Sequence, residues 1–264
     1  MFKKLQISSQ TTLYRSGRPF KTGAIILNLN EDDFQESSTI PYFKIEVNDK
    51  ETNLIYQMQK GDAVYGLGET LGALNKRGKI YQFYATDDPH HTPDKKALYG
   101  SHPFMILDGE QSFGLFIDYP SEIIFDIGFT HKDYIKITIT SKDFDVYLFD
   151  CDEKLTIIKE YFALTGKPYI PPKWAFGFQQ SRWSYFTEEE IRNIANKYRE
   201  LGIPLDVIFT DIDYMDGYKV FTINRETFPN YEEMVRDLAN MGIKVIPIID
   251  PGVKIEEGYH IYEE

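Results

Sequence analysis

The chain has 264 residues, 42% of them hydrophobic and 15% aromatic, with one cysteine and a formal net charge of −12. That length and apolar content suit a globular chain of one or two domains and exclude a disordered one. The acidic balance excludes nucleic acid as a partner, and the lone Cys151 excludes a disulfide or a cysteine-rich zinc site.

No stretch is long and apolar enough to span a bilayer. The basic start (residues 1–6) is not followed by the apolar run of a signal peptide, so no membrane partner and a cytoplasmic location are expected. The 19 Tyr and 19 Phe suit the core of a β-sandwich, and such rings also stack on sugar faces.

Taken in chain order, residues 1–60 carry no recognisable motif. Short runs rich in β-branched and aromatic residues predict strands at Tyr42–Val47, Leu54–Met58, Ile80–Tyr84, Phe104–Leu107, Phe113–Ile117, Ile123–Ile127, Tyr134–Thr140 and Phe144–Phe149. Asp108-Gly109 marks a hairpin between two of them. Ile135, Ile137 and Ile139 alternate with Lys136 and Thr138, as in a half-buried antiparallel strand. Many short strands at this spacing predict a sandwich or barrel. A helix follows over Leu155–Leu164, with Leu155, Ile158, Tyr161 and Phe162 on its apolar face and Gly166 as its stop. Pro168, Pro171 and Pro172 then mark a crossing into a second region.

From Lys173 the period switches to strand–helix–strand. Trp174–Phe178 is expected as a strand with Trp174 in the core. Thr187 and Glu190 form a capping box for a helix whose buried side carries Ile191, Ile194, Ala195, Tyr198 and Leu201, ended by Gly202. Leu205–Thr210 is the next strand. Asn230 with Glu233 is read as the cap of a helix lined by Tyr231, Met234, Leu238 and Met241, ended by Gly242. Lys244–Ile249 is the third strand. Alternation of this kind predicts parallel βαβ units, and the chain is expected to be an α+β two-domain protein divided as 1–166 and 167–264. A closed (β/α)8 barrel takes roughly 200 residues, and residues 173–264 are under half of that, so the expectation is the front part of a longer protein.

The chemistry concentrates at the second of these strand ends, where Asp211, Asp213 and Asp216 follow Leu205–Thr210. Parallel α/β folds collect functional side chains where strands end. The plain alternative is a solvated acidic loop. A D-x-D at a strand end also fits a Mg²⁺-dependent phosphatase of the haloacid-dehalogenase type, in which the first Asp is the nucleophile. That reading leaves three other segments unexplained: Tyr65-Gly66-Leu67-Gly68-Glu69, Thr86-Asp87-Asp88-Pro89, and Pro171-Pro172-Lys173-Trp174 through Gln180-Ser181-Arg182-Trp183.

Taken together and in this order, the four segments resemble glycoside hydrolase family 31, the α-glucosidases and their relatives, from about Val64 to Gly258. The resemblance implies an N-terminal antiparallel β-sandwich followed by the first part of a (β/α)8 TIM barrel. It also implies exo-acting, retaining hydrolysis of α-glucosidic bonds in a small oligosaccharide or α-glucoside, with no metal or organic cofactor. By position it makes Asp211 the aspartate that binds hydroxyls of the non-reducing sugar, Trp183 the aromatic wall of the pocket, Asp87 an aspartate on a loop covering the barrel mouth, and Asp250 a further pocket-lining residue. These four are expected to converge on one concavity. Asp213 and Asp216 are read as shaping the loop, and Arg182 as a structural ion-pair partner.

One departure limits the resemblance. The family's nucleophile and acid/base come from a W-x-D-M-N-E segment and a later aspartate, and neither occurs in residues 1–264. No catalytic residue is therefore assigned in this chain. Alone it is expected to be inactive, close to a non-catalytic carbohydrate-binding module, with self-association covering the open edge of its barrel segment.

Overall fold

The computed structural model describes residues 2–264, which divide into two compact units, Met1–Pro168 and Tyr169–Glu264. The first unit is an antiparallel sandwich. Its strands are β1 (Phe2–Gln6), β2 (Thr11–Ser16), β3 (Gln35–Ser37), β4 (Lys44–Val47), β5 (Thr52–Gln57), β6 (Ala63–Gly66), β7 (Lys79–Phe83), β8 (Phe104–Asp108), β9 (Phe113–Asp118), β10 (Ile123–Ile127), β11 (Tyr134–Ile139) and β12 (Phe144–Phe149). One sheet has the order β3-β1-β2-β12-β9-β8-β6 and the other β4-β5-β11-β10-β7. The expected Asp108-Gly109 hairpin joins β8 and β9, which pair antiparallel.

Between the sheets, Leu54, Phe125 and Ile137 from one side meet Leu115, Val146 and Leu148 from the other. Side chains alternate across a strand, so β9 and β12 turn Phe116, Tyr147 and Phe149 to the opposite face. There the helix α1 (Lys154–Thr165) covers them with Ile157 and Leu164. Both faces of these central strands are thus buried, at about 1.5–3 kcal/mol for each large apolar side chain.

The buried side of α1 runs along Ile157, Ile158, Tyr161 and Leu164, and Leu155 is 62% exposed. The expected face was therefore rotated from the true one. Gly114 of β9 lets the helix sit close, because a Cβ there would overlap Ile157 Cγ2. In the segment Tyr65–Glu69, three successive left-handed residues, Gly66, Leu67 and Gly68, turn the chain. The Leu67 N–H donates to Phe104 O at 2.7 Å, and a Cβ on Gly68 would come within 2.7 Å of His102.

The second unit holds a three-stranded sheet of β13 (Gln179–Gln180), β14 (Val207–Thr210) and β15 (Lys244–Pro247), with β14 in the middle and both pairings parallel. The helices α2 (Glu188–Glu200) and α3 (Tyr231–Asn240) are the crossovers. A last turn, α4 (His260–Glu263), follows. The two crossover helices end alike. Ile203 N–H returns to Tyr198 O at 2.9 Å and Ile243 N–H to Leu238 O at 2.8 Å, each across a left-handed glycine, Gly202 or Gly242.

Two expectations fail here. Residues 173–176 form a 3-10 turn after Pro172, and the strand starts only at Gln179. Trp174 is half-buried instead of lying in the core. Gly177 sits against Asp206, which a Cβ would overlap; this close approach sets where the pairing with β14 can begin. Asn230 makes no side-chain cap bond. Its N–H donates at 2.9 Å to Oε2 of Glu188, a buried carboxylate that also takes Arg192 Nε at 2.9 Å. A partner from the neighbouring helix has replaced the local cap. No helix among the described residues is long and apolar enough to cross a membrane.

Candidate active site

Alternation along β14 sets the site. Ile208 and Tyr231 belong to the apolar layer between sheet and helices, so Phe209 and Asp211 face the other way. There a hollow of about 420 Å³ opens at the ends of the three strands. It is lined by Ser181, Arg182 and Trp183 after β13, Phe209, Thr210 and Asp211 at the end of β14, and Ile248 after β15.

Asp211 caps the 3-10 turn Ile212–Tyr214: its Oδ1 accepts Ile212 N–H at 2.9 Å. Its Oδ2 accepts Ser184 N–H at 2.7 Å. Both oxygens are held by backbone donors, and each keeps a lone pair for a further hydrogen bond. Trp183 precedes Ser184 and is 81% exposed, so its ring is free to stack on a ligand. Tyr214, behind the loop, donates to Ile248 O at 2.9 Å and ties the ends of β14 and β15 together. Burial chiefly raises its phenol, with smaller contributions from Tyr231 and Asp250.

Of the four expected site residues, Trp183 and Asp211 share this hollow. Asp250 lies three residues past β15, exposed, and the third wall is Ile248 instead. Asp87 belongs to the sandwich unit, on the exposed stretch after β7, where its carboxylate raises the Tyr99 phenol. Asp213 accepts from the Tyr218 hydroxyl at 3.3 Å, and Asp216 pairs with Lys219 at 3.0 Å, both within their own loop.

Arg182 departs from its expected role. It makes no ion pair among the described residues and instead lines the hollow. Ile248 and Phe209 were also not anticipated; the signal was the odd–even alternation of β14 and the strand-end position after β15. A roomier hollow, about 490 Å³, lies in the sandwich and contains none of the expected site residues. Among the described residues, no three His, Cys, Asp or Glu side chains gather closely enough to ligate a metal.

Residues 13–126 match the glycosyl hydrolase 31 N-terminal galactose mutarotase-like domain, and residues 168–264 match the glycosyl hydrolases family 31 TIM-barrel domain. An alpha-glucosidase 2 from Bacillus thermoamyloliquefaciens is 42% identical over 209 residues, covering 78% of this chain and 26% of that protein. An alpha-glucosidase from Saccharolobus solfataricus is 32% identical, covering 74% of this chain and 28% of that protein. Among solved structures, the Flavobacterium johnsoniae GH31 dextranase bound to glucose aligns with a TM-score of 0.77 at 26% identity, over 95% of this chain and 36% of that one. A family 31 alpha-glucosidase from Bacteroides thetaiotaomicron aligns with a TM-score of 0.67 at 32% identity, over 82% of this chain and 37% of its own. The chain thus spans about a quarter to a third of the length of these relatives. The D-x-D segment lies inside the barrel match, which removes the phosphatase reading. With its sandwich and its barrel segment both matched by models of one family, the chain belongs to glycoside hydrolase family 31.

Proposed function

We propose that the whole protein is an exo-acting, retaining α-glucosidase, and that the Trp183–Asp211 hollow binds the non-reducing glucosyl unit. The observation that carries this reading is the fixed Asp211 carboxylate beside an exposed Trp183 ring at parallel strand ends. A carboxylate anchored by two N–H groups is already oriented to accept sugar hydroxyls, and charged acceptors bind more strongly than neutral ones. Ring stacking supplies apolar area. Catalysis with retention needs a nucleophile and an acid/base carboxyl. The family's segment for that pair does not occur in residues 1–264, so this chain alone is proposed to bind without turning over. Asp87 and Asp250 are proposed as further substrate contacts on the strength of the family resemblance.

A cytoplasmic location is proposed from the single, unpaired Cys151; related proteins include lysosomal alpha-glucosidases of Mus musculus and Bos taurus, and fractionation decides. Self-association of the chain is likewise proposed, from the open edges of its three-stranded sheet. The deciding assay is hydrolysis of p-nitrophenyl α-glucoside by the whole protein, with NMR detection of the first-formed anomer. An α-glucose product supports the reading. A β-glucose product, or no turnover of any α-glucoside, overturns it.

A further inference from the structure

The roomier hollow belongs entirely to the sandwich unit, at the root of the segment that carries Asp87. Its walls include Tyr84, His102, Phe116, Tyr119 and Tyr161, with Asp118 at the end of β9 as its only carboxylate. Volume and lining are those of a small-molecule site, apolar walls around a few polar groups.

The rings are not equivalent. Phe116 is 6% exposed and belongs to the packed layer under α1. Tyr161 has one face covered by Phe104, with centroids 4.1 Å apart. The Tyr119 hydroxyl is engaged with Thr140 O at 3.2 Å. Tyr84, 56% exposed on the rim, is the ring that offers a stacking surface.

Asp118 is only half used. Its Oδ1 accepts the Thr22 hydroxyl at 2.7 Å, and among the described residues no protein donor reaches its Oδ2. Asp145, its cross-strand neighbour, is by contrast gripped by Arg15 through two bonds of 2.9 and 2.8 Å. The sheet therefore spends its one local guanidinium on Asp145 and leaves Asp118 an open acceptor beside an exposed aromatic ring. An acceptor next to a ring face suits a ligand with hydroxyls on its edge and C–H groups on its face, which describes a pyranose.

We infer that the sandwich carries a second carbohydrate site, separate from the Trp183–Asp211 hollow, in which a glucosyl unit stacks on Tyr84 and donates hydroxyls to Asp118. The choice of a glucosyl unit rests on the proposed α-glucosidase function; the site itself rests on the hollow and the open carboxylate. Such a site would hold one end of an oligosaccharide on the non-catalytic unit.

The test uses the full 264-residue chain and isomaltose, read by saturation-transfer NMR and titration calorimetry. A Trp183→Ala/Asp211→Asn double variant silences the barrel hollow and should still bind isomaltose. Adding Tyr84→Ala to that variant should weaken binding at least about tenfold, and adding Asp118→Asn should weaken it too. Tyr84 is exposed enough that its replacement leaves the fold intact, which circular dichroism checks. Loss of all binding in the double variant overturns the inference while leaving the proposed function standing. Binding indifferent to both Tyr84→Ala and Asp118→Asn overturns it as well. The α-glucosidase reading is tested separately, by turnover in the whole protein.

Discussion

The Asp211 carboxylate and the Ser184 amide form the joint of the barrel site: Oδ2 accepts the N–H at 2.7 Å while Ser184 stands in the left-handed region at φ 66°. The bond sets the path of the chain just after Trp183, so the acceptor and the stacking ring are positioned by one contact. Replacing Ser184 with Pro removes the donor and forbids that φ. In the whole protein, Ser184→Pro should lower kcat/KM for an α-glucoside by at least about tenfold and shift the fluorescence of Trp183. Unchanged kinetics and emission would show that the joint does not position the ring.

Asp211→Asn probes the same joint from the other side. Asparagine keeps one acceptor oxygen, so it cannot hold both Ile212 and Ser184 and also receive a sugar hydroxyl with full charge. A loss of about 2–4 kcal/mol in transition-state binding is expected, the scale of a charged acceptor removed from a water-poor site. Chromogenic kinetics on the whole protein measure it, and equal kcat/KM in variant and parent would take Asp211 out of the sugar site.

Much of this site could be read in advance, and what could not was non-local. Asp211 and Trp183 were legible because strand ends and aromatic–acid motifs are sequence-local. Ile248 and the unpaired Arg182 were not, since their roles depend on which side chains meet across parallel strands. In the sandwich, β5 and β7 through β12 were visible as apolar runs. The strands β1, β2, β3 and β6 escaped notice because edge or half-covered strands such as Phe2-Lys3-Lys4-Leu5-Gln6 carry exposed polar residues. The Trp174–Phe178 run was read as a strand for its aromatic content, and Pro172 with Gly177 made it a 3-10 turn.

The exchange of a local cap for a distant one gives a stability test. Glu188 holds the Asn230 N–H and Arg192 from an almost buried position. Glu188→Ala should cost about 2–3 kcal/mol, because it strands a backbone donor and a guanidinium. Asn230→Ala should cost about 0.5 kcal/mol or less, since that side chain makes no cap bond. Urea unfolding followed by circular dichroism at 222 nm distinguishes them, and the reverse order would restore Asn230 as the cap.

Packing of α1 onto the sandwich turns on one missing methyl group. Gly114→Ala places a Cβ into Ile157 and against Phe149, in a layer with no room to give. A loss of about 1–3 kcal/mol is expected from overpacking, and trimming the opposing side chain with Ile157→Val should recover part of it. Failure of Gly114→Ala to lower the urea midpoint would mean the helix is not seated on β9.

The last expectation concerns pH and the paired strands β9 and β12. Asp118 and Asp145 stand opposite each other, and burial raises both carboxyls above their usual range, against the opposing pull of Thr22 on the first and Arg15 on the second. A raised carboxyl binds its proton more tightly in the folded chain than in the unfolded one. Between the unfolded and folded values the native state therefore holds more protons, and stability falls as pH rises through that window, then stays level above it. Asp118→Asn keeps an acceptor for the Thr22 hydroxyl but carries no charge to desolvate. The variant should be more stable than the parent at pH 8, with the gap closing as pH is lowered toward the unfolded carboxylate value, about 4. Urea midpoints of both proteins across that range supply the measurement. A gap that stays constant with pH, or a variant less stable than the parent at pH 8, would show that Arg15 and water already balance the Asp118 charge.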